Sequence, residues 1–156
     1  MSRRIRPEKR VIEPDIKYGN LHVAMFCNRL MYGGKKSTAL RVIYDSFDLI
    51  EERTGQPGVE VFEQALQNIM PQVEVRPRRV GGATYQVPIP VDSHRQTSLA
   101  MRWLLTATRA RSGRSMAEKL AGELMDAASN QGAAVKRRDD THRMADANRA
   151  FSHFRV

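Results

Sequence analysis

The sequence predicts a mainly α fold: a six-helix bundle, a protruding two-stranded β-hairpin and an extended basic N-terminal arm. Three observations carry this. Five segments repeat apolar residues at helical spacing between Gly or Pro breaks, and a sixth, charged segment follows them. One stretch, 72–91, switches to a period of two around Gly81-Gly82. The 156 residues show no internal repeat and no Gly/Ser linker, so one domain with its own core is expected, burying roughly 70% of its unfolded surface.

Residues 1–17 are polar and basic, include Pro7 and Pro14, and lack periodicity, which reads as an arm. A first helix over 20–32 places Val23, Cys27, Leu30 and Met31 on one face, with Gly33-Gly34 as its stop. A second over 37–53 turns Leu40, Ile43, Phe47 and Ile50 inward and breaks at Thr54-Gly55-Gln56-Pro57. The third, 58–70, has Pro57 near its first turn and Val59, Phe62, Leu66 and Met70 inward. Pro71 ends it. Val73 and Val75 then alternate with Glu74 and Arg76, and Tyr85, Val87, Ile89 and Val91 alternate with Gln86, Pro88 and Pro90. Two such runs around Gly-Gly predict a hairpin. Pro77, Pro88 and Pro90 cannot donate to a ladder, so the ribbon stands outside any central sheet. A lone hairpin is marginal in water, so its base is expected to lean on helices and leave the tip free.

Ser93-His94-Arg95-Gln96 reads as a capping box opening a fourth helix, to about residue 110, with Leu99, Trp103 and Thr106 on one face. Ser115-Met116-Ala117-Glu118 opens a fifth, to about 129, with Met116, Leu120, Leu124 and Ala128 inward. Asn130-Gln131-Gly132 stops it. A sixth helix, 134–147, is highly charged with little apolar face and is expected to be peripheral.

Charge decides the class of partner. The net charge is +9, which favours a polyanion. It is also segregated. Residues 1–44 carry ten basic and three acidic side chains, a net of +7. Residues 45–75 carry a net of −6, and residues 76–156 a net of +8. Segregation points to one face for a polyanion and another turned away. A single cysteine, Cys27, rules out a disulfide framework and a Cys-based zinc site. No apolar run approaches the ~18–20 residues of a membrane span. No apolar stretch follows Met1-Ser2-Arg3-Arg4, so no secretory signal is expected, and a reducing intracellular compartment is.

Catalytic patterns are missing. Gly34-Lys35 is not a phosphate-binding P-loop, because Arg29 and Lys36 stand where Gly and Ser or Thr are required. His22, His94, His142 and His153 show no metal-ligand spacing. Gly113-Arg114-Ser115 is no nucleophile elbow, since Ala117 replaces the second Gly. Cys27 lies on an apolar stripe and reads as a core thiol. Asp45, Asp48, Glu51 and Glu52 form the one acidic cluster, read as a solvated helix face, with metal-assisted hydrolysis as its rival. No cofactor and no catalytic residue are expected.

Basic groups cluster instead. The arm carries Arg3, Arg4, Arg6, Lys9 and Arg10. Lys35 and Lys36 flank the start of the second helix, where free backbone N–H groups add to their charge. Arg76, Arg78 and Arg79 lead to the Gly-Gly tip, Arg76 and Arg78 on one side. Arg95, Arg102 and Arg109 are seven apart and drift only about 20° per step, forming a stripe that Arg111 and Arg114 extend. Lys136, Arg137 and Arg138 open the last helix, with Arg143 and Arg149 beyond. Arginine predominates in most of these clusters, and its planar fork suits phosphate contact and base stacking. Phe151 and Phe154 in the tail are open to two uses, stacking on bases or anchoring the tail.

Several runs resemble one family, the universal small-subunit ribosomal protein S-seven in its bacterial or organellar form. They are Gly33-Gly34-Lys35-Lys36 with Val42-Ile43 and Ser46; the stretch from Val73 through Arg76-Pro77-Arg78-Arg79-Val80-Gly81-Gly82-Ala83 to Pro88; Leu99 to Leu104; Glu123 to Ala128; and His142 to Phe151. The resemblance implies a structural protein that binds 16S-type rRNA in the 3′ major domain and nucleates assembly of the subunit head. It implies a place at the subunit interface near the mRNA exit path, beside exit-site tRNA and small-subunit proteins nine and eleven, with no membrane partner. Carried over by position, Arg3, Arg4, Arg6, Arg10, Lys35, Lys36, Arg76, Arg78, Arg79, Arg95 and Arg102 contact rRNA. Lys9, Arg109, Arg111 and Arg114 join that set as members of the same basic clusters. Gly81, Gly82 and Ala83 form a tip near tRNA and mRNA, and Lys136, Arg137, Arg138, Arg143 and Arg149 lie near tRNA and protein eleven. The Arg155-Val156 end departs from the aromatic pair of many members. The implied location is the cytoplasmic ribosome, or a stroma or matrix if organelle-encoded. Two rivals stand beside this reading: a nucleoid-type DNA-binding module, and an RNA-processing enzyme built on Asp48.

Overall fold

The computed structural model of the chain describes residues 10–154. In order it runs α1 (Leu21–Leu30), α2 (Lys36–Thr54), α3 (Gly58–Ile69), β1 (Val73–Val80), β2 (Ala83–Pro90), α4 (Ser93–Ala110), α5 (Met116–Ala128) and α6 (Gly132–Ala147). A 3-10 segment, Arg149–Phe154, follows. Mainly α with one antiparallel hairpin is therefore what the chain forms. Arg3, Arg4, Arg6 and Lys9 lie outside the described residues.

The inner end of the expected arm is not free. Asp15 is buried, and its carboxylate accepts from the backbone N–H groups of Lys17 and Tyr18, both at 3.1 Å. The Tyr44 hydroxyl donates to it at 2.7 Å. The chain is thus pinned from Asp15 onward, three residues before the expected boundary.

Caps follow local chemistry. Asn20 accepts from Val23 N–H at 3.1 Å, and Ser115 from Glu118 N–H at 3.2 Å. The fourth helix corrects the expectation. Its cap is Asp92, which accepts from His94 N–H at 3.2 Å, and Ser93 is already the first helical residue. A carboxylate also suits the positive end of the helix dipole.

The core joins all six helices. Phe62 of α3 lies 5.6 Å, centroid to centroid, from both Phe26 of α1 and Phe47 of α2. Met101 and Leu104 of α4 and Leu120 and Leu124 of α5 are fully buried beside them. Close helix approach needs small residues: a Cβ on Gly58 would sit 2.6 Å from the Phe47 Cα. The buried face of α4 is broader than expected and differently centred. It comprises Leu99, Ala100, Met101, Leu104, Leu105, Ala107 and Thr108, while Thr106 is exposed. The reason is that α4 packs against α1, α3, α5 and α6 together.

Two peripheral elements prove structural. Ala134, Val135, Thr141 and Ala145 of α6 are buried, and α6 packs against α4, α5 and β1. Its small side chains permit contact that a thin apolar count hides. Phe151 and Phe154 anchor the tail, with ring centroids 5.2 and 5.1 Å from that of Tyr85 on β2. The hairpin is therefore braced along one face as well as at its base. Among the described residues no helix is long and apolar enough to cross a membrane.

Candidate nucleic-acid interface

The hairpin turns at Gly81-Gly82, with φ of +58° and +88°. Two consecutive left-handed residues suit a tight turn matched to strand twist, and glycine adopts them without a Cβ penalty. The register pairs Arg76 with Val87, Arg78 with Tyr85 and Arg79 with Thr84. Residues directly opposite share a face. Glu74, Arg76 and Arg78 thus lie on the face of Tyr85, which the tail covers, and Arg79 stands on the other. Ala83 opens β2 and is exposed at the tip.

Glu74 is only 8% exposed. It accepts from Arg95 Nη2 at 2.8 Å and Nε at 2.9 Å, and from Arg76 Nε at 2.6 Å. Burial alone pushes this carboxyl up, but the hydrogen bonds and charges of Arg95 and Arg76 outweigh burial and hold it below the usual carboxylate range. The group ties β1 to the first turn of α4. A folded-state pKa that is depressed gives stability present above the unfolded pKa and lost as pH falls through the folded one. Glu74→Gln is expected to speed amide exchange across the hairpin about tenfold at neutral pH. Wild type is expected to show that loosening only in acid. Equal exchange in the two proteins at pH 7 counts against the tie.

The remaining cations sort by whether a carboxylate already holds them. Arg111 donates from Nη1 to Glu123 at 3.0 Å and Asp126 at 2.6 Å. Its charge is neutralised within the fold, so the α4 stripe does not continue through it as a free cation. Arg138 turns inward to the Asn68 carbonyl and pairs with Asp139 at 2.7 Å. Arg143 pairs with Asp140 at 3.4 Å. By contrast, Arg10, Lys35, Lys36, Arg79, Arg102, Arg114, Lys136, Arg137 and Arg149 are exposed, with no ion pair to any described residue. Lys35 caps α2 and Lys36 begins it, and no side chain satisfies that helix start. Free N–H groups and two ammonium groups there make an anion-receptive corner. The Arg109 guanidinium lies over the Tyr32 ring, 4.4 Å from its centroid, beside a groove of about 410 Å³ lined by Leu30, Val42 and Met116. Such a stacked pair presents a flat polarised surface.

Asp45, Asp48, Glu51 and Glu52 are exposed on α2, and Asp48 pairs with Lys17 at 3.3 Å. No group of His, Cys, Asp and Glu among the described residues is arranged to hold a metal. Cys27 is fully buried, and burial pushes its thiol up. His142 Nε2 accepts from the Gln72 N–H at 3.0 Å and so helps hold the start of β1. One cation outside the basic clusters read from the sequence is Arg29 of α1. The available signal was that neither α1 nor α4 contains a single Asp or Glu.

Comparison with known proteins follows the same line. The family model for ribosomal protein S7p/S5e matches residues 2–149. The "Small ribosomal subunit protein uS7" of Rhodopseudomonas palustris (strain TIE-1) is 58% identical over 155 residues, 99% of each chain. That of Methylorubrum populi is also 58% identical and that of Chelativorans sp. (strain BNC1) 57%, each over 99% of both chains.

Proposed function

This chain belongs to the ribosomal protein S7p/S5e family, and from that premise we propose that it is a structural, non-enzymatic constituent of the small ribosomal subunit that holds folded 16S-type rRNA. The observation that carries the reading is a set of exposed cations with no ion pair to any described residue, Lys35, Lys36, Arg79 and Arg102 among them. Cations left unpaired on a chain of net charge +9 repel one another until a polyanion binds. Binding is electrostatic capture followed by fitting of helices and ribbon to a folded shape.

In this reading the RNA is the 3′ major domain, and the chain nucleates assembly of the subunit head in the cytoplasmic ribosome. Lys35, Lys36, Arg79, Arg102, Arg109 and Arg114 contact rRNA directly. Arg76, Arg95 and Arg111 act mainly by shaping the surface, since carboxylates hold them. The Gly81-Gly82-Ala83 tip and the exposed Lys136, Arg137 and Arg149 face exit-site tRNA, the mRNA path and small-subunit proteins nine and eleven. Competition filter binding tests the class of partner. Isolated head rRNA is expected to outcompete an equal charge of duplex DNA by at least about 10³-fold, the usual floor for specific over non-specific nucleic-acid binding. Equal competition overturns the proposal in favour of a general DNA-binding module.

A further inference from the structure

We propose that Arg29, Ser98 and Arg102 form a binding site for one RNA phosphodiester at the contact of α1 and α4. The inference rests on the reading of the chain as an RNA binder and names a contact point within it.

Arg29 stands in the last turn of α1 and is half-buried. Its Nη1 donates to the Met25 carbonyl at 3.3 Å and approaches the Met101 sulfur at 3.4 Å. Its Nη2 donates to Ser98 Oγ at 3.0 Å. None of these acceptors is charged. Ser98 and Arg102 are four residues apart on α4, so they are neighbours on one helix face. The Arg102 side chain is exposed there. Two guanidinium groups therefore meet at a helix pair with no Asp or Glu of its own, and neither forms an ion pair with any described residue.

A buried or half-buried cation is normally paired, because desolvation without a partner is costly. Arg29 departs from that rule. Desolvation, and then the charge of Arg102, pull its pKa below the ordinary arginine value. Three of the five guanidinium N–H groups have acceptors, which leaves two for a further oxygen. The Ser98 hydroxyl retains its own proton to donate. A phosphodiester supplies one negative charge on two free oxygens, which suits two guanidinium forks. Arg102 also belongs to the exposed α4 stripe, so the site continues a path of cations rather than standing alone.

Arg29→Met and Arg102→Gln test this, since methionine suits the company of Met25 and Met101. The readouts are the slope of log affinity against log salt on head rRNA, and the melting temperature of the free protein. Each single variant is expected to flatten the slope by about 0.7–0.9, the loss of one phosphate contact. The double variant is expected to flatten it no further, because both residues hold the same phosphate. Free Arg29→Met protein is expected to melt no lower than wild type, since a repulsion is relieved. An unchanged slope with a lower melting temperature makes Arg29 a structural prop and overturns the site. A double variant whose slope falls by the sum of the singles overturns the shared phosphate. If wild type grips head rRNA no better than unrelated RNA, the proposed function fails. The slope difference between variant and wild type, read on either RNA, still decides the Arg29 site.

Discussion

A chain carrying glutamine at Lys35, Lys36, Arg79, Arg102, Arg109 and Arg114 is expected to lose most of its salt-sensitive grip on head rRNA. Each phosphate contact contributes close to one unit to the slope of log affinity against log salt. Six contacts account for about 10³-fold of the fall in wild-type affinity between 50 and 200 mM salt, a portion the variant is expected to lack. The fold is not expected to suffer. All six side chains are exposed, and none is paired with a described carboxylate. Surface changes of this kind stay within about 0.5 kcal/mol each. The informative control is the opposite set, Arg76, Arg95, Arg111 and Arg138, whose replacement is expected to lower the melting temperature more than the salt slope. Filter binding across a salt series decides it. A six-site variant with the wild-type slope would falsify the assignment of these groups to the RNA.

Glu123→Ala is expected to destabilise the free protein by about 3–5 kcal/mol, the usual result of breaking a buried ion pair. The Glu123 side chain is 2% exposed. One oxygen accepts from Arg111 at 3.0 Å, at the end of α4. The other accepts from the Ala134 backbone N–H at 2.9 Å, in the first turn of α6. Gln131, at the cap of α6, makes no side-chain cap bond, so a carboxylate from α5 does that work across the fold. Two glycines admit the arrangement. A Cβ on Gly122 would lie 3.0 Å from Arg111 Nε, and one on Gly132 would lie 3.0 Å from the Glu123 oxygen. Alanine at 123 leaves a buried N–H without an acceptor and Arg111 with Asp126 alone. Glu123→Gln keeps an acceptor but loses the charge, and about 1–3 kcal/mol is expected. Urea unfolding measures both. An alanine variant within about 1 kcal/mol of wild type shows that α6 is held by its apolar contacts instead.

These two experiments separate cations that look alike in the sequence. Arg102 and Arg111 are both arginines on one basic stripe, yet one meets solvent and the other meets Glu123 and Asp126. The helices themselves were legible because their signals are local. Apolar spacing set the inward faces of α2 and α3, and Gly81-Gly82 set the hairpin turn. Where two local signals competed, as with Asp92 and Ser93 before α4, the neighbouring residue won the cap. The place of α6 was misjudged because Ala134 and Ala145 bury little area individually, yet they allow the close approach that buries Val135.

Taken by itself, the sequence determined the family, the mainly helical fold, the hairpin and the segregation of charge. Periodicity and turn chemistry act between residues a few positions apart, so order along the chain contains them. Tertiary structure alone decided which cations remain available to a polyanion. The deciding contacts join residues 12, 15, 21 and 70 positions apart: Arg111 with Glu123, Arg111 with Asp126, Arg95 with Glu74, and Arg138 with Asn68. A charge is neutralised by what lies within a few ångströms in space, and only the packing of helices sets that distance.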